Sequence, residues 1–304
     1  HMRKLLYTIV LNYNNYIDTR QCIESLQKSL YPVEKIVLVD NASSDGSLER
    51  FYADYLQDNK VYIIKNEYNL GFARGANVGI QFALDLGADF IFLLNNDAII
   101  DQECIKKLCA AMEEDERVGL AGPRIFYYCD PEKIWQGGGY FSLWKTGIVS
   151  PEKNKLVINS SEKAKEVTFL TGCAMLVKRQ VFEKIGLFDE DFFFYGEDVD
   201  FCLRARRAGF KLIYVPEAKA WHKIEDIARN RTSPFVMYHL SRSHLLVLRK
   251  NFPGLYYLYG VIVHFLLYTP YRMWQIMRGS RSWEAVSAWF EGTLDGMGRM
   301  KSRK

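Results

Sequence analysis

Four apolar runs, each closing on a cluster of Asn, Asp, Ser or Gly, constrain this chain more than any other feature. Leu5–Leu11 ends in Asn12–Asn15, Lys35–Asp40 in the cluster Asp40–Asp45, Val61–Lys65 in Asn66–Arg74, and Phe90–Leu94 in Asn95-Asn96-Asp97. Short apolar runs bounded by turn residues read as strands buried on both faces, as in a parallel sheet. Helical patterns fall between them: Ile17–Ser29, closed by Tyr31-Pro32; a segment that Ser44 or Asp45 can cap; and Ala73–Leu86. This β-α-β order predicts a mostly parallel sheet with right-handed crossovers. Ligands of such sheets gather at the carboxyl ends of the strands. One polar cluster there is an ordinary loop, but four on one edge define a binding crevice.

The second half is less regular. Trp135–Tyr140 (WQGGGY) reads as a glycine-rich loop, Glu152–Lys165 as a charged mobile loop, and Val167–Val177 as a strand containing Thr171-Gly172-Cys173. Gly196–Ala208 reads as a helix with Glu197, Asp198 and Asp200 in its first turn; Lys211–Val215 is a strand, with Trp221-His222 beyond it. After Thr232 the pattern becomes helical over Pro234–Lys250, Leu255–Met277 and Trp283–Met297, broken at Pro253-Gly254 and Gly279-Ser280. We therefore expect a catalytic domain over about 3–232, with halves of about 3–100 and 101–232, and a helical region over 233–304. The stretch LYYLYGVIVHFLLY carries no formal charge. It is shorter than the roughly 20 residues a spanning helix needs. Flanked by Arg249, Lys250, Arg272 and Arg278, it reads as a helix lying on a bilayer surface. A dimer interface and packing on the catalytic domain are the structural alternatives.

Hydrophobic residues make up 49%, enough for a full core, and the net charge of +4 is too small to argue for nucleic acid. Six cysteines without CxxC or zinc spacing read as buried or partly buried free thiols in a reducing cytoplasm. His1-Met2 reads as a cloning remnant, and Leu5–Leu11 is too short for a signal peptide.

Asp97, after a buried strand, has the hard oxygen ligands that Mg2+ or Mn2+ prefers, or is a turn former. Asp40 can accept from a ribose hydroxyl or a base N–H, or serve the turn before Asp45-Gly46. In Asn69-Leu-Gly71-Phe-Ala-Arg74 the glycine permits close backbone approach and Arg74 can meet a phosphate; the pattern is not GxGxxG. The acids of Gly196-Glu197-Asp198-Val-Asp200 either favour a helix dipole or supply a general base. His222 is a structural hydrogen-bonder or a group beside a metal.

The ordered set VLNYNN, LVDNASSDGS, NLGFARGANVGI, LLNNDA, TGCAMLVKR, FFFYGEDVDFCLRARRAGF and AWH resembles family 2 glycosyltransferases of the GT-A fold, nearest to bacterial rhamnosyltransferases, over about residues 4–250. The resemblance implies an α/β fold with a flanked, mostly parallel sheet and a C-terminal helical appendage. It implies a nucleotide pocket built from Leu11, Asn12, Tyr13, Asp40, Asn69, Gly71, Arg74 and Asn96, with Gly172 bordering the donor sugar. Asp97 matches the last acid of the family's DxD motif, whose first position here is Asn95, and His222 matches the metal-proximal histidine. Asp198 matches the catalytic base, with Glu197 supporting it or the acceptor. The implied reaction is inverting transfer from a nucleotide-diphosphate sugar, dTDP-L-rhamnose first, to a saccharide hydroxyl in cell-surface polysaccharide synthesis. Mn2+ or Mg2+ would assist, and the acceptor would be a glycan or polyprenyl-diphosphate-linked saccharide. The site of action would be the inner face of the cell membrane, contacted through 234–297. UDP-hexose or UDP-N-acetylhexosamine donors are alternatives. So is a non-catalytic sugar- or nucleotide-binding scaffold, against which the complete acid and histidine set argues. A nucleotidyltransferase would carry a glycine-rich basic loop after the first strand, where this chain has NYNNYIDTR.

Overall fold

The computed structural model describes residues 4–157, 162–224 and 231–298, so His1 and Met2 lie outside the described residues. The first half forms β1 (Leu6–Asn12), β2 (Lys35–Asp40), β3 (Val61–Lys65) and β4 (Phe90–Leu94), alternating with α1 (Tyr16–Gln27), α2 (Ser47–Tyr55) and α3 (Gly71–Asp85). β1 pairs in parallel with both β2 and β4, and β2 with β3. The apolar runs are buried throughout β4 and nearly so in β1 and β2, as strands sandwiched between helices require. Of the two cap candidates before α2, Asp45 makes the bond: its Oδ1 accepts from the Ser47 N–H at 3.0 Å.

The sheet continues through β5 (Ala98–Ile100), β6 (Val118–Tyr127), β7 (Ile134–Gln136), β10 (Lys165–Val167), β11 (Ala174–Lys178) and β12 (Lys211–His222), while β8 (Tyr140–Ser142) and β9 (Gly147–Val149) form a separate hairpin. The strand order is β10-β12-β6-β11-β4-β1-β2-β3. β11 runs antiparallel to both β4 and β6, and β12 parallel to β6. Helices α4 (Cys104–Glu113), α5 (Arg179–Ile185) and α6 (Glu197–Arg207) complete this part. It is the expected GT-A arrangement, a mostly parallel sheet flanked by helices.

Four local expectations are corrected. Val167–Val177 is not one strand, because the chain leaves the sheet after Val167 and returns at Ala174. Between them the Gly172 N–H donates to Asp198 instead of to a neighbouring strand. Nor is the start of Glu152–Lys165 loose. The Glu152 carboxylate is buried, accepts from the Tyr214 hydroxyl at 2.8 Å, and meets Lys165 and the buried Arg124. Residues 158–161 of that segment lie outside the described residues. WQGGGY is only partly loop, since Trp135-Gln136 ends β7 and Tyr140 opens β8. Lys211–Val215 extends to His222 across an irregularity between Val215 and Lys219. The six cysteines are free, five of them buried, but Cys129 is exposed.

The C-terminal helices are α7 (Pro234–Asn251), α8 (Leu255–Val263), a π-helical segment (His264–Tyr268), α9 (Thr269–Arg278) and α10 (Trp283–Gly296). They pack on the catalytic part. Ser243 Oγ donates to the Phe194 carbonyl at 3.0 Å and Asn251 Nδ2 to Asp200 at 2.7 Å. Leu246 and Val247 join the core formed by β1, β2 and α3. Arg242 and Tyr238 of α7 both bond Asp295 of α10, at 2.7 and 2.6 Å. Among the described residues no helix is long and apolar enough to cross a membrane.

The α7–α10 seam depends on small residues: a Cβ on Gly292 would overlap the Tyr238 carbonyl, and one on Gly296 would lie 2.6 Å from the Arg242 carbonyl. Gly292→Ala should therefore lower stability by about 1–3 kcal/mol, the usual cost of overpacking. Urea unfolding measures it, and an unchanged midpoint would contradict this close seam.

Candidate active site

Three groups of polar side chains meet at the carboxyl edge of β1, β2 and β4. The first surrounds Asp40, whose side chain is fully buried at the end of β2. A carboxylate withdrawn from water needs compensating donors. Asn12 Nδ2 supplies one to Oδ1 at 2.9 Å, the Ser43 hydroxyl another at 2.6 Å, and the Ser43 N–H reaches Oδ2 at 3.0 Å. Asn12 also accepts from Thr19 at 2.8 Å, and Asn96 Nδ2 donates to the same threonine oxygen at 2.8 Å. Asn12, Asp40 and Asn96 are thus one connected network. Leu11 lies under α3, where Gly75 allows its side chain to come close. The Tyr13 side chain is exposed beyond it.

A second hub was not singled out in the sequence. Asn41 Nδ2 donates to Asn69 Oδ1 at 2.9 Å and to the Gly71 carbonyl, while its Oδ1 accepts from Asn66 and from the Leu70 N–H. Asn69 Oδ1 also caps the Gly71 N–H at 2.9 Å. Gly71 has φ of 76°, and a Cβ there would lie 2.6 Å from the Phe193 carbonyl. Only glycine fits both constraints. Arg74 turns outward to Glu190, 3.2 Å away, in an exposed ion pair.

The third group joins residues far apart in sequence. β5 pairs antiparallel with the end of β12, setting His222 opposite Ala98. His222 Nε2 then lies 3.0 Å from Asp97 Oδ1. The imidazole is buried, packs edge-on against Trp135 at 4.4 Å, and has no partner on Nδ1. The Asn95 N–H donates to the Cys173 carbonyl at 2.8 Å, bringing the Gly172 turn to the same edge.

Gly172 N–H donates to Asp198 Oδ2 at 3.1 Å, and the Val199 N–H to Asp198 Oδ1 at 2.8 Å. Thr171 adds a side-chain hydrogen bond. Tyr195 and Gly196, both at positive φ, form the tight turn that launches α6 and aims these acids inward. Burial raises both carboxyl pKa values, and the hydrogen bonds to Asp198 oppose that rise. Glu197 has less help: its Oε2 is buried without a partner, and burial plus the neighbouring Asp198 charge push it up to about 8. The two acids titrate as a coupled pair, and the donors around Asp198, set against the unpartnered Glu197 Oε2, favour the anion on Asp198 and the neutral form on Glu197. The buried Cys173 thiol, raised first by burial, feels the charges of both Asp97 and Asp198. The Gly172 N–H bond to Asp198 and the Asn95 N–H bond to the Cys173 carbonyl set both acidic groups beside this turn.

The model of the family described as "Glycosyl transferase family 2" matches residues 7–186. The chain belongs to that family.

This glycosyltransferase is similar to the dTDP-rhamnosyl transferase RfbF of Shigella flexneri, at 27% identity over 88% of this chain and 88% of that protein. It is also similar to the N-acetylglucosaminyl-diphospho-decaprenol L-rhamnosyltransferase of Mycobacterium tuberculosis, at 27% identity over 79% of this chain and 83% of that one. A mannosyltransferase of Pyrobaculum calidifontis, solved with GDP-Man and Mn2+, shares the fold with a TM-score of 0.58 at 17% identity, covering 99% of this chain and 76% of its own. Two longer solved chains are matched over 51 and 50% of their length.

Sequence reasoning missed Asn41, Thr19, Ser43 and Trp135. Asn41 and Ser43 stood beside Asp40 in the strand-end cluster, whereas Thr19 and Trp135 carried no local signal. A depression of about 970 Å3 at the opposite edge, lined by residues such as Lys4, Asp89, Arg179 and Glu183, has charges that pair with one another.

The glycosyltransferase's carboxyl pair should be visible in its stability. A carboxyl raised from 4.5 to about 8 in the fold keeps a proton that the unfolded chain has lost. Stability therefore falls as pH rises from about 4.5 to about 8. Glu197→Gln removes that contribution, so urea unfolding of the variant should depend less on pH across this window. Parallel pH profiles for the two proteins would refute a proton held on Glu197.

Proposed function

We propose that the chain is an inverting glycosyltransferase whose donor is dTDP-L-rhamnose and whose acceptor is a polyprenyl-diphosphate-linked saccharide. The observation that carries the transfer reading is the meeting of Asp97 and His222 at one edge with the hydrogen-bonded Asp198 carboxylate, linked through the Thr171–Cys173 turn. The activities named for the two bacterial relatives favour this donor and a decaprenol-linked acceptor.

Asp40, with Asn12 and Asn96 behind it, would hold the nucleoside, and the Leu11–Tyr13 backbone, Asn69 and Gly71 would line that pocket. Arg74 would join it by exchanging Glu190 for a phosphate. Gly172 would border the sugar, beside the acid it hydrogen-bonds. A divalent ion fits the Asp97–His222 pair: their ligand atoms face one another, and Asn95 Oδ1 is buried nearby in sequence without a partner. No set of three or more His, Cys, Asp or Glu ligands occurs among the described residues. A weakly held Mg2+ or Mn2+ commonly draws its other oxygens from substrate phosphates and water. When bound, the ion would stabilise negative charge on the departing diphosphate.

Asp198 would accept the proton of the acceptor hydroxyl as its oxygen attacks the anomeric carbon from the face opposite the leaving group. The N–H groups of Gly172 and Val199 keep that carboxylate ionised and oriented. Protonated Glu197 adds no second charge and can donate to an acceptor oxygen. The exposed apolar residues of α8, the π-helical segment and α9, including Leu258, Ile262, Leu266 and Trp274, favour a peripheral position on a membrane, on its cytoplasmic face.

Asp198→Asn should lower kcat by about 100- to 10,000-fold, the usual contribution of a general base, while keeping nucleotide binding. A thermal-shift panel of dTDP, UDP, GDP, CDP and ADP, with and without Mn2+, reports that binding. The dTDP shift should be metal-dependent, and Asp97→Ala should abolish the dependence. Normal turnover by Asp198→Asn would rule it out as the base. A shift with UDP and none with dTDP would replace the rhamnose donor with a UDP-sugar.

A further inference from the structure

Three segments that share no secondary structure converge beside the carboxylate pair. The stretch after β9 is pinned at Asn154, which accepts from the Tyr127 hydroxyl at 2.7 Å, and Tyr127 is the register partner of His222. Arg231-Thr232 lies against the end of α9, where Ser280 Oγ donates to the Thr232 carbonyl at 3.3 Å. α9 itself is drawn in by Tyr268, whose hydroxyl donates to the Lys145 carbonyl at 2.8 Å. The β8–β9 turn is further clasped at its Leu143 and Trp144 carbonyls by Tyr256 and Tyr259 of α8, at 2.6 and 2.7 Å.

Each segment contributes a cation: Lys153, Arg231 and Arg272. Among the described residues none of the three has a carboxylate within ion-pair distance. Arg272 is half-buried, spends one Nη on Gln275 at 2.7 Å, and keeps a buried Nε with no hydrogen-bond partner. An unpaired guanidinium withdrawn from water is costly unless a ligand completes it. The mutual repulsion is felt: desolvation, then Arg231 and Arg272, lower the Lys153 pKa. The Tyr195 phenol is raised first by burial and then by the Glu197 charge, while Arg272 and Arg231 oppose that rise. Tyr195 immediately precedes Gly196-Glu197 in the turn that opens α6, so cations close to its ring lie close to the carboxylate pair. On α9, Tyr271 and Trp274 flank Arg272 and are exposed, continuous with the apolar residues of α8. No Asp or Glu occurs in the sequence between Asp226 and Glu284.

We propose that Arg272, Arg231 and Lys153 form the subsite for the phosphates of a prenyl-diphosphate-linked acceptor, set between the Glu197–Asp198 carboxylates and the apolar face of α8 and α9. Guanidinium forks match phosphate oxygens, the apolar face takes the prenyl chain, and the hydroxyl to be glycosylated then lies toward Asp198. This assignment rests on the glycosyltransferase reading above and names the acceptor's anchoring group.

The test uses the full chain with farnesyl diphosphate, farnesol and dTDP plus Mn2+ as separate thermal-shift probes. Farnesyl diphosphate should shift the melting point and farnesol should not. Arg272→Gln and Lys153→Gln should each weaken farnesyl diphosphate by about 10-fold or more, the usual loss of a charge-assisted hydrogen bond, with dTDP unaffected. The unliganded melting point of Arg272→Gln should not fall, since the variant removes an unpaired charge; a fall would mark Arg272 as structural. The Lys153 side chain makes no hydrogen bond or ion pair among the described residues, so its variant reads the subsite with little cost to the fold. Equal weakening of dTDP in both variants would reassign the cations to the donor's diphosphate and overturn the proposal. Equal binding of farnesol would overturn it too, leaving only an apolar surface. Failure of dTDP itself in the wild-type protein would instead count against the glycosyltransferase's donor assignment.

Discussion

The structure depends on one long strand. β12 runs parallel to β6, antiparallel to β10 along its first residues, and antiparallel to β5 along its last. The final pairing carries His222 across the sheet to Asp97. A one-residue slip would reverse every side chain on the strand, taking the imidazole away from the edge. The irregularity between Val215 and Lys219 sets the register of the terminal segment independently of the initial one. The active edge is therefore as precise as this strand's pairing, and the buried residues on both sides of it keep that pairing fixed.

Charge at this edge is handled by unequal solvation. Asp40 is fully buried yet well supplied with donors. Asp198 is held by backbone N–H groups from a turn and from its own helix. Glu197 lacks such support, so burial favours its neutral form, which permits two adjacent carboxyl groups to share one small volume. The same logic in reverse applies to the cations of Arg272, Arg231 and Lys153, which stay unpaired within the described fold and so favour an anionic ligand.

The C-terminal helices connect these two regions. Asn251 bonds Asp200 within the helix that carries the carboxylate pair, and Ser243 holds the Phe194 carbonyl just before it. α7 thus braces α6 from behind, while α8 and the π-helical segment clasp the β8–β9 turn and leave an apolar face outward. The turn that carries the carboxylate pair and the outer apolar face belong to one packed unit, because neighbouring helices of the same C-terminal region support both.

Some of this was legible in the residues alone. The β-α-β alternation, the strand-end clusters and the acidic first turn of α6 follow from periodicity and turn chemistry, which act over a few neighbouring positions. The helices after Thr232 were read nearly to their ends for the same reason, and the family motifs supplied the expectation that Asp97 and His222 belong together. Their apposition itself, across 125 positions of chain, required the β5–β12 register. Burial of Glu152, departure of Thr171–Cys173 from the sheet, the Asn41 hub and the turning of Arg74 to Glu190 likewise needed the assembled fold. So did the proton on Glu197, because solvation is a property of what surrounds a side chain. The sequence by itself determined which segments become strands and helices and which polar residues end them, since those preferences are local. Tertiary structure alone decided which of those residues meet and which keep their charge, since both depend on long-range register and exclusion of water.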